Sequence, residues 1–206
     1  MIEYDYEKLK KIIYDRFMSQ TGEKDNSTLE RFQHSLGVCD MALKLNKMHN
    51  LNVDENKIIC ASLLHDYAKF NTKEEIKEVC SFYGVEFDEK ASHKLWHGFY
   101  GPLFIKKELG IEDKEILDAV YYHTTGRSNM SDLEKLIYIS DFTEINTRHG
   151  EEFEKIREMS YISLDKAVLQ EAEFTISHLK KDNRLIEGPT LATYTYYKEK
   201  MEKNNG

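Results

Sequence analysis

Ala61-Ser-Leu-Leu-His-Asp-Tyr-Ala-Lys69 decides the fold of this chain, because it joins a run of core residues to a run of polar ones. From Ile58 to Leu64 the residues are apolar or small except for one serine. A helix that is apolar nearly all round must be buried, so we predict that His65 and Asp66 lie at the end of a core helix. An ionised carboxylate is costly there unless a positive group pairs with it. Lys69 lies one helical turn further on and so reaches the same place.

The composition describes a globular protein that is rich in helices. Of 206 residues, 40% are hydrophobic and 32% are charged, so the chain can bury a sizeable core. Two prolines, ten glycines and the lack of any long apolar–polar alternation favour helices over strands. No apolar run approaches the roughly 20 residues that cross a bilayer. The N-terminal sequence does not look like a secretion signal, so we expect a cytoplasmic protein.

The formal net charge of −8 limits the partners that we expect. It disfavours a general nucleic-acid surface and an anionic membrane surface, so we expect neither partner. A small polyanionic substrate is compatible with it, because a metal ion and a few cations reverse the potential inside one cleft. Cys39, Cys60 and Cys80 form no Cys-x-x-Cys pair. Cys39 and Cys60 fall on apolar helical faces, as buried cysteines of a reducing cytoplasm do.

Helix signals divide the first part of the chain into amphipathic segments. A first helix is predicted from Tyr4 to Met18, and the capping-box pattern Ser27-Thr-Leu-Glu30 starts a second one. The second helix has two apolar stripes and is therefore central, so His34, which lies in one stripe, faces inward. An aspartate can cap a third helix, predicted from Glu55 to about Lys69.

The later part of the chain carries two open alternatives. Capping boxes are predicted at Thr72-Lys-Glu-Glu75 and Ser131-Asp-Leu-Glu134. Within the helical stretch from Ala91 to Leu109, Pro102 predicts a kink or the first turn of a new segment. The stretch from Glu151 to Lys181 is one long helix or two, and a Tyr-rich helix follows it.

We therefore predict an all-α helical bundle with one main domain. Residues 1–24 form an N-terminal helix packed on the domain, residues 25–190 form the domain, and residues 191–206 form a C-terminal helix and polar tail. The aromatic residues Tyr194, Tyr196 and Tyr197 of the last helix can pack on a neighbouring copy, which makes a homodimer one option for the oligomeric state.

Four inward-facing or helix-end positions carry histidine or aspartate, namely His34, His65, Asp66 and Asp141. Imidazoles with carboxylates suit first-row divalent ions such as iron, manganese or zinc, and rigid helices fix their geometry. No cysteine joins the set, which disfavours a structural zinc site. His97 and His123 lie beside glycine-containing breaks. Each histidine alone is more often an ordinary core or surface residue, but the whole set indicates a metal site.

The order of these residues resembles a known superfamily. The relevant segments are Arg31-Phe-Gln-His-Ser-Leu-Gly37, Ala61-Ser-Leu-Leu-His-Asp-Tyr-Ala-Lys69, His97-Gly98, Tyr122-His-Thr-Thr-Gly-Arg127 and Leu133-Glu-Lys-Leu-Ile-Tyr-Ile-Ser-Asp-Phe142. The series is similar to the H…HD…D ligands of the all-helical HD-domain phosphohydrolases, and more closely to the YqeK family of bacterial hydrolases. The resemblance covers roughly residues 28–190. Four other histidines match no motif position and are interpreted as surface or packing residues: His49, His93, His149 and His178.

The resemblance implies a hydrolase that cuts diadenosine tetraphosphate symmetrically into two ADP molecules with two divalent metal ions, iron or alternatively manganese. Matched position by position, the first ion is held by His34, His65, Asp66 and Asp141, and the second by Asp66, His97 and His123. The chain departs from the family pattern at Glu144-Ile-Asn-Thr-Arg148, where a Glu-Pro and an early arginine are usual. The resemblance therefore assigns no role to Arg148.

The expected chemistry is attack on an inner phosphorus by a hydroxide that bridges two metal ions about 3.5–4 Å apart. We expect Asp66 to act as the bridging metal ligand and Lys69 to hold an adjacent phosphate, and both to be catalytic. Further substrate contacts are expected from the hydroxyls, N–H groups and guanidinium groups of Arg31, Thr124, Thr125, Gly126 and Arg127.

Two rival interpretations stay open on the sequence alone. One is an HD-type enzyme for another substrate, such as a nucleoside monophosphate, a deoxynucleoside triphosphate or a cyclic dinucleotide. The other is a non-catalytic helical module that binds a nucleotide. In the leading interpretation the partner is small, a dinucleoside polyphosphate or a nucleoside diphosphate.

Overall fold

The computed structural model describes residues 5–21 and 26–204, and these ranges form helices without any β-strand. The α-helices are α1 (Tyr6–Thr21), α2 (Asn26–His49), α3 (Glu55–Leu64), α4 (Lys73–Tyr83), α5 (Trp96–Leu109), α6 (Lys114–Tyr122), α7 (Asp132–Thr143), α8 (Glu151–Ile162), α9 (Leu164–Lys181) and α10 (Gly188–Asn204). The predicted all-α fold is confirmed. The predicted helix start at Tyr4, the domain boundary at residue 24 and the end of the polar tail lie outside the described residues. Among the described helices, none is both long enough and apolar enough to cross a membrane.

Several helices begin where the sequence signals predict. Thr72 caps α4 and Ser131 caps α7, each through a capping box with the glutamate three residues further on. The side chain of Asp54 accepts a hydrogen bond from a backbone N–H of the first turn of α3. These side-chain oxygens satisfy N–H groups that have no partner within the helix. α2 begins at Asn26, so the predicted capping residue Ser27 lies inside the helix.

α3 is the central helix of the bundle. It packs against α1, α2, α6 and α7, and every residue from Cys60 to Leu64 is buried. α2 contacts α1, α3, α7 and α8, which is why it needs apolar residues on two sides. His34 lies on this helix with 2% of its surface exposed, and the prediction that it faces inward is confirmed.

The third helix ends at Leu64, earlier than the predicted end near Lys69. The chain continues from His65 as turns, with backbone hydrogen bonds from Tyr67 N to Leu64 O at 3.0 Å and from Lys69 N to Asp66 O at 2.9 Å. These i→i+3 bonds wind the chain more tightly than an α-helix does. His65 and Asp66 are therefore held in a short turn at the end of the core helix.

Pro102 lies inside a continuous α5, so it does not begin a new segment. His97 lies in the first turn of α5 after the 3₁₀ turn His93–Leu95, and the break predicted beside it is absent. A Cβ at Gly98 would lie 3.2 Å from Oγ1 of Thr124 and 3.3 Å from the backbone oxygen of Tyr121. Glycine thus lets α5 approach the end of α6.

The C-terminal part consists of three helices. The stretch from Glu151 to Lys181 is two helices, because the extended residue Ser163 ends α8 and caps α9. α10 packs on α9, and Tyr197 is buried in the core with 1% of its surface exposed. The prediction that Tyr197 packs on a neighbouring copy is wrong, because its ring packs within its own chain.

Arg16 of α1 binds the segment that follows Asp66 through several hydrogen bonds. Its Nε donates to the backbone oxygen of Tyr67 at 2.7 Å and its Nη2 donates to Oδ1 of Asn71 at 2.9 Å. Its guanidinium pairs with Glu108 of α5 and lies over the ring of Tyr67, 3.8 Å from the centroid. One side chain thus joins α1, the turn after α3 and α5.

We expect Arg16→Ala to lower the free energy of unfolding by about 2 kcal/mol, because several hydrogen bonds to a charged group are lost at once. Chemical denaturation measures this change. The control is Lys11→Ala, which removes an exposed pair with Asp15 in the same helix and should cost less than about 0.5 kcal/mol. Equal effects in the two variants would contradict the role of Arg16.

Candidate functional site

Five segments of the bundle deliver six polar side chains to one place, which we call the His–Asp cluster. Its members are His34 in the middle of α2, His65 and Asp66 directly after α3, His97 in the first turn of α5, His123 directly after α6 and Asp141 near the end of α7. Asp141 is half-buried and the others are buried. These are the six residues predicted as metal ligands, and the fold brings them together.

His65 lies at the middle of the cluster. The ligand atoms of His34, His65 and Asp141 all lie within 4.8 Å of one another, and the same holds for those of His65, Asp66 and His123. Each group is a candidate site for a divalent ion, but both contain His65, whose one free ring nitrogen binds a single ion at a time. The geometry shares His65 between the groups, whereas the resemblance makes Asp66 the shared ligand.

His97 joins the cluster through its Nε2 atom. This atom lies 3.1 Å from Oδ1 of Asp66, 3.1 Å from Nε2 of His123 and 3.2 Å from Nζ of Lys69. Nζ of Lys69 is itself 3.3 Å from Oδ1 of Asp66. The other carboxylate oxygen of Asp66 accepts a hydrogen bond from Nη1 of Arg31 at 2.7 Å. Asp66 is thus the point where histidines, a lysine and an arginine meet.

In two histidines of the cluster, a hydrogen bond from Nδ1 fixes the orientation of the ring and therefore the direction in which Nε2 points. Nδ1 of His65 donates to the backbone oxygen of Ser62, and Nδ1 of His123 donates to that of Val120, both at 2.6 Å. Because a carbonyl oxygen only accepts, each Nε2 presents a lone pair to the centre. Nε2 of His65 and Oδ1 of Asp66 are buried and make no well-aligned hydrogen bond within the described residues. The lone pair of His65 Nε2 lies 3.3 Å from Oδ2 of Asp66, and two buried acceptors that face each other are costly, so these ligand atoms fit a bound cation.

Burial and charge keep Asp66, His97 and His123 in the protonation states that bind a cation. Burial disfavours the charged form of Asp66, but the charges of Lys69 and Arg31 outweigh it and hold the pKa of the carboxyl well below its usual range. Burial and the neighbouring imidazoles lower the pKa of His123 to about 3. Burial also lowers the pKa of His97 despite the nearby carboxylate. Ionised carboxylates and neutral imidazoles are the forms that coordinate metal ions.

His34 lies between two carboxylates, one of which the sequence did not reveal. Its Nε2 is 2.9 Å from Oδ1 of Asp141, and its Nδ1 is 3.1 Å from Oε1 of the fully buried Glu144. Burial lowers the pKa of His34, but the hydrogen bonds to these carboxylates outweigh it and raise the pKa. A Cβ at Gly37 would overlap Oε2 of Glu144, so the glycine leaves room for this carboxylate in its present position. The sequence signal for Glu144 was its place in the segment Glu144–Arg148, where the family pattern has a Glu-Pro.

Arg148 lies against Asp141, a contact for which the resemblance gave no expectation. Its Nε donates to the backbone oxygen of Asp141 at 3.0 Å, and its Nη2 lies 3.1 Å from Oδ1. Arg157 holds the same loop, because its guanidinium donates to the backbone oxygens of Thr143, Glu144 and Arg148. The departure from the family pattern therefore still leaves an arginine beside Asp141.

The fold places two of the predicted substrate-binding residues at the cluster. Arg31 and Lys69 both contact Asp66, while 27% and 30% of their side-chain surfaces remain exposed. They can therefore face Asp66 and an incoming anion together. Thr124 follows His123, and its Oγ1 is buried without a hydrogen-bond partner in the described part of the chain.

Three other predicted substrate-binding residues make contacts elsewhere. The backbone oxygen of Thr125 accepts a hydrogen bond from Oγ1 of Thr193 at 3.0 Å. Gly126 has a φ of +63°, and a Cβ there would lie 2.7 Å from Oγ1 of Thr193. Arg127 pairs with the buried Glu134, with Nε 2.7 Å from Oε1. These residues hold the turn after α6 against α7 and α10, and their contact with substrate stays a prediction.

Comparisons with known proteins give relatives over most of the chain. The HD domain family profile matches residues 31–146. A protein of Halalkalibacterium halodurans named bis(5'-nucleosyl)-tetraphosphatase, symmetrical, is 39% identical over 83% of this chain and 90% of its own length. The protein of the same name from Bacillus subtilis is 33% identical over 84% of this chain and 92% of its own length. A crystal structure from Clostridium acetobutylicum, of a "predicted HD superfamily hydrolase involved in NAD metabolism", has a TM-score of 0.81 at 35% identity and covers 96% of this chain and 98% of that one.

We expect Glu144→Gln to weaken metal binding about 10–100-fold, because the carboxylate that orients His34 loses its charge while keeping its shape. Competition with a chelator measures the affinity, and thermal unfolding of the metal-free protein measures the structural effect. Glu151→Gln, at an exposed glutamate, is the control and should change neither. A lower Tm with unchanged metal affinity would mean that Glu144 only supports the loop.

Proposed function

This chain belongs to the HD domain family, and on that premise we propose that it hydrolyses diadenosine tetraphosphate symmetrically to two ADP with divalent metal ions. The observation that carries the proposal is the buried His–Asp cluster, with the unpartnered Nε2 of His65 and the cations that flank Asp66. Relatives that bear the name of this activity match over most of their length and support the choice of substrate.

We place one cation among His34, His65, Asp66 and Asp141 and a second among Asp66, His97 and His123. Iron is our first choice and manganese our second, as the family resemblance implies, and ligands that are imidazoles and carboxylates without a thiolate are compatible with both. When bound, such cations activate water and neutralise negative charge on the phosphate oxygens. Lone pairs at the Nε2 atoms are already aimed at the centre, which supports this assignment.

The residues around Asp66 have a separate task, which is to bind and orient the phosphate chain. The ammonium group of Lys69 and the guanidinium group of Arg31 contact different oxygens of Asp66. A phosphate brought to the centre would therefore meet a cation on each side. Charge-assisted hydrogen bonds of this kind stabilise the negative charge that grows on the oxygens during reaction.

Symmetrical cleavage follows from where the water attacks. Attack on one of the two inner phosphorus atoms breaks its bond to the central bridging oxygen, and the other half of the molecule leaves with that oxygen. Both products are then ADP. The buried members of the cluster keep bulk water from the reacting atoms, which strengthens the electrostatic interactions there.

The charge of the chain and its cysteines also bear on its binding partners and its cellular location. We propose a small nucleotide as the only ligand class, because the net charge of −8 opposes binding to nucleic acid. We propose a cytoplasmic location, because Cys39, Cys60 and Cys80 are buried and unpaired. A homodimer stays a prediction that rests on the half-buried Tyr194 and Tyr196 alone.

The function is tested by the products formed from a nucleotide panel. The panel contains diadenosine tetraphosphate, a nucleoside monophosphate, a deoxynucleoside triphosphate and a cyclic dinucleotide, each with anaerobically loaded iron or manganese protein. We expect ADP as the sole product from diadenosine tetraphosphate and the highest kcat/KM for this substrate. AMP and ATP as products, or faster hydrolysis of another panel member, would contradict the proposal, and tight ADP binding without any turnover would favour a binding module.

Asp66→Ala and Lys69→Ala separate metal binding from phosphate binding. We expect Asp66→Ala to lose activity and metal together, because its carboxylate lies at the meeting point of the cluster. We expect Lys69→Ala to keep its metal and to lose about 100-fold in kcat, as when one stabilising donor is removed. Metal analysis and steady-state kinetics provide both readouts, with the exposed Lys73→Ala as control. Full activity of Asp66→Ala would refute its role as a shared ligand, and loss of metal in Lys69→Ala would refute the role of Lys69 in phosphate binding.

A further inference from the structure

Two cavities adjoin the segment Lys90–His97. The first, called cavity A, has a volume of about 450 Å³ and lies between this segment, Thr124, α9 and the start of α10. The second, called cavity B, has a volume of about 320 Å³ and lies between the segment and residues 68–76. Both volumes are of the size that takes a small ligand.

The segment Lys90–His97 is the wall between the two cavities. Cavity A is lined by Lys90, Ser92 and Leu95, whereas cavity B is lined by His93, Lys94, Trp96 and His97. Neighbouring residues of one short segment therefore face different cavities. A ligand in cavity A and a ligand in cavity B would therefore lie on opposite sides of the segment Lys90–His97.

Cavity B contains a member of the His–Asp cluster, and cavity A contains the residue that follows another member. Cavity B includes His97 and Lys69, which both lie within 3.3 Å of Oδ1 of Asp66. Cavity A includes Thr124, the residue after His123, and Oγ1 of Thr124 is a buried polar atom without a partner among the described residues. Thr124 thus connects the lining of cavity A with the turn that carries His123.

The charges of the linings favour anionic ligands in both cavities. The described residues that line cavity B include Lys69 and Lys94 but no acidic residue. Cavity A is lined by Lys90 and Arg184 together with the acidic Glu187, whose Oε1 accepts a hydrogen bond from the backbone N–H of Ser92 in the wall. The chain has a net charge of −8, so the positive charge of these two cavity linings is opposite in sign to the average charge of the protein surface.

Each cavity also offers an aromatic surface for a nucleobase. In cavity A, the rings of Phe174 and His178 are stacked, with centroids 5.3 Å apart. In cavity B, the indole of Trp96 is held by a hydrogen bond from its Nε1 to the backbone oxygen of Ala91 at 3.2 Å. Flat rings of this kind stack on any base and tolerate differences of sequence or base type.

We propose that cavity A and cavity B are two half-sites, each of which binds one nucleoside diphosphate half of a dinucleoside tetraphosphate. The inference rests on the proposed function and deepens it, because it explains why the cut falls in the middle. With one half anchored on each side of the wall, the central phosphoanhydride lies at the His–Asp cluster. A mononucleotide fills one half-site only and loses the second set of contacts.

The product ADP tests the half-sites directly, because it fills each of them separately. Titration calorimetry of the metal-loaded protein should give two ADP bound per chain. Thr175→Trp fills cavity A and should reduce this number to one, and it should lower kcat/KM for diadenosine tetraphosphate at least about tenfold. Leu185→Trp, at an exposed position that also lines cavity A, gives the same test where Thr175→Trp fails to fold. Lys94→Glu should lower the affinity for the ADP molecule that binds in cavity B, because it replaces a cation of the lining with an anion.

Ser177→Trp is the matched control, because Ser177 lies two residues from Thr175 but lines a different surface cavity. It should leave two ADP per chain and an unchanged kcat/KM. One ADP per chain in the unmodified protein, or two in both cavity A variants, would overturn the half-sites. Failure of the unmodified protein to hydrolyse diadenosine tetraphosphate would instead overturn the proposed function, and the ADP count distinguishes the two failures.

Discussion

The buried carboxylate of Asp66 is the constraint on which the rest of the structure depends. An ionised group in a protein interior needs opposite charge and hydrogen bonds around it. In this bundle α2 supplies Arg31, the turn after α3 supplies Lys69, and α5 supplies His97. Because these partners come from different segments, compensating one charge fixes how those segments meet, and the same arrangement leaves inward-facing lone pairs where a cation fits.

Residues around the His–Asp cluster fix the orientation of its side chains through hydrogen bonds. His65 and His123 are tied to backbone oxygens three residues earlier, and His34 is tied to the buried Glu144. Such outer contacts set the ring orientation and the tautomer before any ligand binds. Glycines complete the arrangement, since Gly37 leaves room for Glu144 and Gly98 lets α5 approach the end of α6. The site is therefore built on helices and on the turns that directly follow them, and such elements position side chains more precisely than long loops do.

The surroundings of the cluster divide into a structural part and an open part. The turn from Thr125 to Arg127 is occupied by contacts with α7 and α10 and stabilises the bundle. Arg31, Lys69 and Thr124 keep exposed surface or unpartnered atoms. Lys69 lines cavity B and Thr124 lines cavity A, so binding of a long anionic ligand there does not require the turn from Thr125 to Arg127 to give up its own partners.

The sequence by itself determined the all-α fold and the capping boxes of α4 and α7, because helix periodicity and capping are local properties, and the family resemblance identified the six members of the His–Asp cluster. The sequence could not determine where α3 ends, that Pro102 lies within a continuous helix, or that Tyr197 is buried in its own core, because these depend on packing between distant segments. Glu144 and Arg148 looked like a departure from a pattern, yet the folded chain places both on ligands of the cluster. Only the tertiary structure decided this, since a buried charge takes whichever partner the fold brings within a few ångströms, regardless of its distance along the chain.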